Sequence, residues 1–425
     1  MKEKESLVSR GKKVLSPALA HYFELEVSKG KGSYLFGIDG KKYLDFATGI
    51  AVTNVGHCHP KVVAAAEKQI HTLIHACAGI VYYEPNIALA EKLKEITPGE
   101  LAMTFFSQSG SETMEGAIKL AKYVTGKPGI ICFQGSFHGR TLGALSVTTS
   151  KEKYQKGYTP LLPNVYVAPF PYVFRMEGSE ETITKTCLAE TEAILNKNKD
   201  SIAAMVIEPV QGEGGYVVPP KKFIQELRVL CDKHKTLLIF DEVQTAFRTA
   251  RLFAAEHFDV TPDIMALAKG LASGFPIGAV ISTEALMSKW SPGAHGGTLS
   301  GNPVSCAAAL ATIDIIEKEK LIEKSERTGN YLKEKLGGLK EKYKIIGDVR
   351  GLGLMIGVEF VKPEGKEPDP EIVKKIREVA LKKGLILISC GSDDQVIRIV
   401  PPLNISKDEV DQALKIFESA LEAVS

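Results

Sequence analysis

Two charged side chains follow short apolar runs, at positions where strands of a sheet would end. Thr236–Phe240 is typical of a strand buried on both faces, and Asp241 follows it directly. A second run, Asp263–Ala268, ends at Lys269, and the Gly- and Pro-rich residues 270–278 predict a tight turn after it. We therefore expect both side chains in one pocket at the carboxyl edge of a sheet, where open α/β folds bind ligands.

These two residue types suit one kind of chemistry. A lysine enclosed by apolar residues has a lowered pKa and becomes nucleophilic enough to form a Schiff base. A buried aspartate can hold a proton on a pyridine nitrogen, and together the two side chains are the usual contribution of a protein to pyridoxal phosphate chemistry. Among 53 basic residues, any single lysine is ordinarily a surface side chain, so this prediction depends on the flanking pattern.

The flanking pattern consists of four segments in a fixed order: IEPVQGEGG (207–215), LLIFDEVQTAFRT (237–249), ALAKGLASGFPIGAV (266–280) and GGTLSGNPVSCAAAL (296–310). They resemble the class III (ω-amino acid) pyridoxal-phosphate aminotransferases, and the resemblance covers nearly the whole chain. It implies the α/β fold of the fold-type I PLP-dependent transferases (aspartate-aminotransferase-like), with a large, mostly parallel-sheet domain and a small α+β domain. It also implies pyridoxal 5'-phosphate as the cofactor.

Composition excludes several classes of partner. The net charge of +2 gives no electrostatic argument for binding nucleic acid or an acidic membrane. The seven cysteines are scattered and lack CxxC spacing, which favours reduced thiols in a cytoplasmic protein. The N-terminus has no apolar signal region, and no stretch reaches the ~18 apolar residues of a membrane span. We expect the partners to be small-molecule substrates.

The order of strand and helix patterns indicates how the site is positioned. Strand–helix alternation from about 100 to 285 predicts a mostly parallel sheet with helices on both faces. Residues 33–52 read as a hairpin around Asp39-Gly40, and 385–389 read as one strand of the C-terminal part. The predicted parts are an N-terminal arm and hairpin belonging to the small domain (1–55), a large PLP-binding domain (56–310) and a C-terminal small domain (311–425).

A phosphate site is predicted where a strand gives way to an amphipathic helix. Ser109, Gly110 and Ser111 open that helix, and exposed amides at a helix N-terminus bind phosphate while small residues let it approach. The segment GLGLMIG (351–357) does not fit the GxGxxG pattern, so dinucleotide binding is disfavoured. GHCHP (56–60) has no acidic third ligand at metalloprotease spacing, and we expect no metal.

The resemblance assigns the remaining cofactor contacts. It implies that Lys269 forms the Schiff base and later moves a proton, while Asp241 keeps the ring nitrogen protonated. Phe137 and Val243 would enclose the ring, and Gln244 would bind its phenolic oxygen. Thr298 would reach the phosphate of a neighbouring subunit's cofactor, so we expect a homodimer or a dimer of dimers. The predicted cofactor-binding set is completed by Ser109, Gly110, Ser111 and His138.

The expected substrate contacts are two arginines and two glutamates. Arg140 and Arg398 are forks that suit carboxylates. In the 4-aminobutyrate branch of the family, the first arginine takes the distal carboxylate. The second pairs with the QGEGG glutamate, here Glu213, which moves aside for a dicarboxylate. Glu208 is expected as a partner of the arginines or of His138.

Ile50 is also an expected substrate contact, and it bears on the choice of amino donor. Ornithine-type relatives tend to carry a tyrosine there, which receives the α-amino group. An isoleucine gives an α-ammonium no partner, at a cost of about 1–3 kcal/mol. The sequence therefore favours transamination of 4-aminobutyrate with 2-oxoglutarate, giving succinate semialdehyde and glutamate by a ping-pong mechanism.

Other activities on the same fold stay open. They are an ornithine, acetylornithine, lysine or 5-aminovalerate ω-aminotransferase, and a PLP-dependent amino-acid racemase or epimerase. A regulatory binding module without enzymatic activity is disfavoured because Lys269, Asp241 and the phosphate turn are all retained.

Overall fold

The computed structural model of the protein describes residues 5–363 and 365–424. Residues 1–4 of the predicted arm, and residues 364 and 425 of the predicted C-terminal part, lie outside this range. The strands are β1 (Val27–Lys31), β2 (Tyr34–Gly37), β3 (Lys42–Asp45), β4 (Leu101–Ser107), β5 (Gly129–Phe133), β6 (Val165–Ala168), β7 (Ile202–Ile207), β8 (Leu237–Asp241), β9 (Ile264–Leu267), β10 (Gly278–Thr283), β11 (Ile346–Leu352), β12 (Met355–Phe360), β13 (Leu385–Ile386), β14 (Ile388–Cys390) and β15 (Val396–Ile399).

The helices connect these strands. They are α1 (Leu7–Val14), α2 (Thr48–Ala51), α3 (Pro60–Thr72), α4 (Glu84–Ile96), α5 (Gly110–Thr125), α6 (Leu142–Ser146), α7 (Glu152–Gln155), α8 (Glu180–Lys197), α9 (Lys221–His234), α10 (Ala255–Phe258), α11 (Glu284–Met287), α12 (Pro303–Lys318), α13 (Leu321–Lys342), α14 (Pro370–Lys382) and α15 (Lys407–Glu422). Lys269–Ala272 form a 3-10 turn. Within the described residues, no helix is long and apolar enough to cross a bilayer.

Seven strands form the large sheet, in the order β4-β10-β9-β8-β7-β5-β6. β10 runs antiparallel to β4 and β9, and the other neighbouring pairs are parallel. Alternate residues of β5 enter two different apolar clusters: Ile130 packs in the cluster of Met114 from α5, and Ile131 in the cluster of Phe223 from α9. Helices therefore cover both faces, which confirms the expected α/β architecture.

The neighbouring strands β7, β8 and β9 end at the same edge of this sheet because they run parallel. Glu208 directly follows β7, Asp241 is the last residue of β8, and Lys269 comes two residues after β9. The sheet topology thus brings three ionisable side chains from distant parts of the sequence to the edge where open α/β folds bind ligands.

Two four-stranded sheets lie outside the large one, ordered β1-β2-β3-β13 and β11-β12-β15-β14. The predicted hairpin is confirmed, since β2 and β3 pair antiparallel across a loop in which Gly40 has φ +80°. The prediction of one strand at 385–389 was wrong. The run is interrupted at Leu387. Leu385–Ile386 pairs with β3 and Ile388–Cys390 pairs with β15, so the two halves of the run belong to different sheets.

A buried arginine joins three segments near the predicted substrate residue Ile50. Arg248, which follows β8, is fully buried, and burial lowers its pKa to about 10. Its guanidinium donates to the carbonyl of Pro401 at 2.8 Å and to Oδ1 of Asn54 at 2.5 Å. The backbone beside Asn54 is strained, with positive φ at Thr48 and Ile50. Arg248 therefore ties this strained segment to the large sheet and to the C-terminal part.

We predict that Arg248→Met lowers the free energy of unfolding by about 2–4 kcal/mol, because the buried carbonyl and amide oxygens lose their donor. Arg251→Met is the matched control, since that side chain is 43% exposed and lies 3.6 Å from Glu326. It should change stability by less than about 0.5 kcal/mol. Denaturant midpoints measure both changes, and equal midpoints for the two variants would contradict the structural role of Arg248.

Candidate active site

Asp241 is buried at the carboxyl end of β8, and both of its carboxylate oxygens have partners. Oδ2 lies 2.7 Å from Nδ1 of His138, and Oδ1 accepts a hydrogen bond of 3.0 Å from the main-chain N–H of Val243. His138 is itself buried, and its Nε2 has no hydrogen-bond partner among the described residues. These contacts fix the rotation of the carboxylate and keep His138 beside it.

Lys269 stands at the start of the 3-10 turn with φ +41°, an uncommon conformation for a residue with a side chain. Burial lowers the pKa of its ammonium group to about 8, and the negative charge of Asp241 only partly offsets this effect. Strained backbone concentrates at functional sites, and a lysine with a lowered pKa is a better nucleophile at neutral pH.

The predicted phosphate turn lies against the same strand ends. Ser109 is the N-cap of α5, and its Oγ accepts a hydrogen bond from Glu112. A Cβ placed on Gly110 would lie 2.9 Å from Cγ1 of Val243 and 3.8 Å from Cβ of Ala268, so only glycine fits this close approach. Oγ of Ser111 accepts a 3.2 Å hydrogen bond from the main-chain N–H of Arg140, which joins the turn to the FHGRT segment.

The remaining predicted ring contacts differ in their exposure. Phe137 and Val243 are half-buried, whereas Gln244 is buried. Oε1 of Gln244 accepts a 2.7 Å hydrogen bond from the hydroxyl of Tyr216, which holds the amide in place. Tyr216 directly follows the QGEGG segment, so its position in the sequence could have marked it as a site residue.

Glu213 and Arg398 form a buried ion pair between the carboxylate Oε2 and the guanidinium Nη2. Arg398 also donates from Nε to the carbonyl of Ser389 at 3.0 Å. Burial by itself would raise the pKa of Glu213, but the charges of Arg398 and Lys151 overcome it and leave the pKa below its ordinary value. Glu213 is therefore ionised at neutral pH.

Two further residues contact Glu213 that sequence reasoning did not select. Nζ of Lys151 lies 3.2 Å from Oε1 of Glu213, and the hydroxyl of Tyr154 donates to the same oxygen at 2.9 Å. The ring of Tyr154 meets Phe137 edge-on, with centroids 5.6 Å apart. No motif or periodicity in the sequence marks Lys151 or Tyr154. Their contacts with Glu213 join residues that are about 60 positions apart in the chain.

Arg140 is exposed, and its guanidinium carbon lies 4.8 Å from the centroid of the Tyr154 ring. Glu208 has a different environment: its two carboxylate oxygens accept hydrogen bonds of 2.8 Å from the main-chain N–H groups of Phe137 and Gly212. Burial raises the pKa of Glu208 to about 7. Glu208 therefore joins the FHGRT and QGEGG segments, and its contact with substrate stays a prediction.

The other two predicted site residues are both exposed. Ile50 is 41% exposed and has φ +66°. Thr298 is exposed in the segment before α12. His57 of the GHCHP segment lies 2.7 Å from Asp45, and the described part of the chain contains no group of three or more His, Cys, Asp or Glu side chains placed to hold a metal ion.

The sequence matches one family of proteins over almost the whole chain. Residues 16–421 match the family model for aminotransferase class III. The chain belongs to the class III aminotransferases. Members of this family are PLP-dependent enzymes, so pyridoxal 5'-phosphate is the cofactor.

Relatives and solved structures of the class III aminotransferases agree with this assignment. The chain is 40% identical to a probable 4-aminobutyrate aminotransferase of Bacillus subtilis, covering 93% of this chain and 92% of the relative. It is also 41% identical to an alanine/serine racemase of Pyrococcus horikoshii, covering 98% and 90%. The structure of a thermostable (S)-enantioselective omega-transaminase from Thermomicrobium roseum has a TM-score of 0.92 and 34% identity, covering 98% of each chain.

The residues present fit the cofactor of a class III aminotransferase. A glycine is required where the predicted phosphate turn approaches Val243, and Lys269 is strained and has a lowered pKa. Nε2 of His138 is a buried polar atom without a partner in the described structure. We expect the turn to hold the phosphate, Lys269 to bind the aldehyde carbon, and Asp241 to face the ring nitrogen.

The lowered pKa of Lys269 predicts how cofactor attachment depends on pH. With a pKa of about 8, roughly a quarter of the amine is unprotonated at pH 7.5, against about one in a thousand for an ordinary lysine. The rate of covalent attachment of pyridoxal phosphate to the cofactor-free protein should therefore rise up to about pH 8 and level off above it.

Stopped-flow absorbance measures that rate, and borohydride reduction with peptide mapping identifies the residue. Lys289→Ala is a control on another lysine in the same half of the chain and should leave the profile unchanged. A rate that keeps rising above pH 10, or a label on any residue other than Lys269, would contradict the assignment.

Proposed function

We propose that the protein is an ω-aminotransferase that transfers the amino group of 4-aminobutyrate to 2-oxoglutarate, giving succinate semialdehyde and glutamate. The observation that carries this proposal is the buried pair between Glu213 and Arg398. A site that must accept both a monocarboxylate and a dicarboxylate needs a cation that can be neutralised in one half-reaction and exposed in the other.

When bound, pyridoxal phosphate supplies the electron sink that allows the proton next to the amino group to leave. Lys269 then accepts and returns that proton at Nζ, which its lowered pKa favours near neutral pH. Asp241 provides a fixed negative charge, held in orientation by His138 and by the N–H of Val243.

Two arginines select the substrate in this proposal. Arg140 is exposed and has no acidic partner among the described contacts, so it is free to bind the distal carboxylate of either substrate. Arg398 is paired with Glu213 while the ω-amino acid is bound, and it binds the second carboxylate of glutamate or 2-oxoglutarate after Glu213 moves aside.

Ile50 separates the proposed donor from donors that keep an α-amino group. Its side chain is partly exposed and carries no polar atom. An α-ammonium of ornithine placed there would lose hydrogen bonds to water without gaining a partner. 4-Aminobutyrate has no such group, and the similarity to the relative from B. subtilis supports the same choice.

We also propose that the enzyme acts as a homodimer or a dimer of dimers. Three large apolar residues are unusually exposed to solvent. Ile80 is 78% exposed, Tyr82 is 91% exposed, and Leu299, beside Thr298, is 52% exposed. The hydroxyl of Tyr83 donates to the carbonyl of Gly301, so the two segments that carry these residues are in contact. Apolar patches of this kind mark association surfaces, and a second subunit there would bring Thr298 towards a neighbouring site.

A donor panel tests the proposed reaction. The cofactor-loaded enzyme is mixed with 2-oxoglutarate and, in turn, 4-aminobutyrate, 5-aminovalerate, N-acetylornithine, ornithine or L-alanine, and glutamate is measured. We expect the highest kcat/KM with 4-aminobutyrate. Formation of D-alanine from L-alanine without any 2-oxo acid, together with no glutamate from 4-aminobutyrate, would instead establish racemisation.

Glu213→Gln tests the switch itself. It removes the charge that neutralises Arg398 while 4-aminobutyrate is bound. We therefore expect kcat/KM of that half-reaction to fall roughly 30- to 1,000-fold, which corresponds to a loss of about 2–4 kcal/mol in transition-state stabilisation. The half-reaction with glutamate should lose less than about tenfold, because the substrate carboxylate replaces Glu213 on Arg398.

Single-turnover absorbance changes measure the two half-reactions separately. The matched control is Glu190→Gln, which alters an exposed glutamate on α8 and should affect neither. Equal losses in both half-reactions of the Glu213 variant would leave that residue with only a structural role.

A further inference from the structure

The two oxygens of the Glu213 carboxylate face different partners. Oε2 pairs with Nη2 of Arg398, whereas Oε1 lies 3.2 Å from Nζ of Lys151 and accepts a 2.9 Å hydrogen bond from Tyr154. Only the Oε2 contact has to break when a substrate carboxylate takes Arg398. A rotation of the side chain can release that oxygen while the other keeps both of its partners.

Lys151 is an unusual lysine in this chain. It lies just before α7, its side chain is only 5% exposed, and its other ionic contact is with Asp394 at 2.5 Å. Burial would lower its pKa, but Glu213 and Asp394 together raise it, so the side chain stays charged. A buried ammonium group stays charged only where carboxylates compensate its charge. Lys151 contacts two carboxylates, those of Glu213 and Asp394.

The surrounding charges explain why a second position for Glu213 is needed. With a dicarboxylate on Arg398, Glu213 would remain inside the protein as an anion without its main cation. An uncompensated buried charge of this kind weakens binding by orders of magnitude. Apart from Arg398, the nearest cation to Glu213 among the described residues is Lys151, and Tyr154 donates a hydroxyl to the same carboxylate oxygen.

We propose that Lys151, assisted by Tyr154, holds Glu213 in the position that it occupies while a dicarboxylate is bound, and so determines affinity for the amino acceptor. This inference rests on the proposed function, because it assigns Glu213 its partner during the glutamate and 2-oxoglutarate half-reaction. Lys151 is a positioning residue in this account, since it acts through Glu213 and not on the reacting atoms.

The test compares the two half-reactions in Lys151→Met, measured by single-turnover absorbance in the cofactor-loaded enzyme. With 4-aminobutyrate, Glu213 keeps Arg398. With glutamate, Glu213 is left with the neutral phenol of Tyr154 alone. We expect the concentration of glutamate needed for half-maximal rate to rise at least tenfold more than that of 4-aminobutyrate, with a smaller change in the maximal rate.

Two variants show which groups are responsible for the selective loss of glutamate binding, the positive charge at position 151 and the hydroxyl of Tyr154. Lys151→Arg keeps the cation and should restore most of the affinity for glutamate. Tyr154→Phe keeps the ring beside Phe137 and Arg140 but removes the hydroxyl, so it should weaken glutamate binding selectively by several-fold. This second variant also provides the test if Lys151→Met fails to fold.

The matched control is Lys153→Met. Lys153 is 63% exposed and touches Asp394 at 3.7 Å, but it does not contact Glu213 in the structure. This variant should leave both half-reactions within about twofold of the wild type. A selective loss in this control would assign the effect to Asp394 and overturn the role of Lys151.

The inference can fail independently of the proposed function. Glu213→Gln can slow the two half-reactions unequally while Lys151→Met weakens the binding of both donors equally, or of neither. In that case the Glu213 switch stands, and Lys151 is not the second partner of Glu213. If Glu213→Gln does not separate the two half-reactions, the switch itself fails and the role of Lys151 fails with it, whereas the donor panel decides the proposed function separately. A selective loss with glutamate, rescued by Lys151→Arg, establishes the role.

Discussion

The structure of the site depends on one constraint, the burial of the positive charge of Arg398. This guanidinium lies on β15 and is only 1% exposed, so it must have an anionic partner whichever substrate is bound. Glu213 is that partner in the structure. In the proposed function, the substrate carboxylate and the Glu213 carboxylate compete for this one cation. Such a competition would let one pocket accept an amino donor with one carboxylate and an amino acceptor with two.

The segment that carries Glu213 is held firmly at its backbone, so that the side chain alone has to move. Glu208 accepts a hydrogen bond from Gly212 on one side of Glu213, and Arg350 donates to the carbonyl of Gly215 on the other. Arg350 is itself fixed by the buried carboxylate of Glu359. With the backbone anchored on both sides, the proposed movement of Glu213 is a rotation of its side chain and needs no movement of the loop.

The sequence predicts a site residue when the pattern that marks it lies next to it in the chain. It does not predict a residue that reaches the site only through contacts with distant segments. Asp241 and Lys269 could be placed at one edge because each follows an apolar run and parallel strands end at a common edge, and the flanking motifs singled them out from the other charged residues. Lys151 carried no such signal, since its contacts with Glu213 and Asp394 join positions far apart in the chain. The predicted single strand at 385–389 failed for the same reason, because the pairing of Leu385–Ile386 with β3 depends on the distant N-terminal hairpin.

The most direct measurement is a crystal structure of the cofactor-loaded enzyme soaked with glutarate, an unreactive dicarboxylate of the same chain length as 2-oxoglutarate. If Glu213 and the substrate compete for Arg398, one glutarate carboxylate should lie on Arg140 and the other on Arg398. Oε2 of Glu213 should then be withdrawn from the guanidinium, with Oε1 still beside Lys151. Glutarate bound while Glu213 remains paired with Arg398 would rule out the switch, because the two substrates would then not be distinguished by a competition for that buried charge.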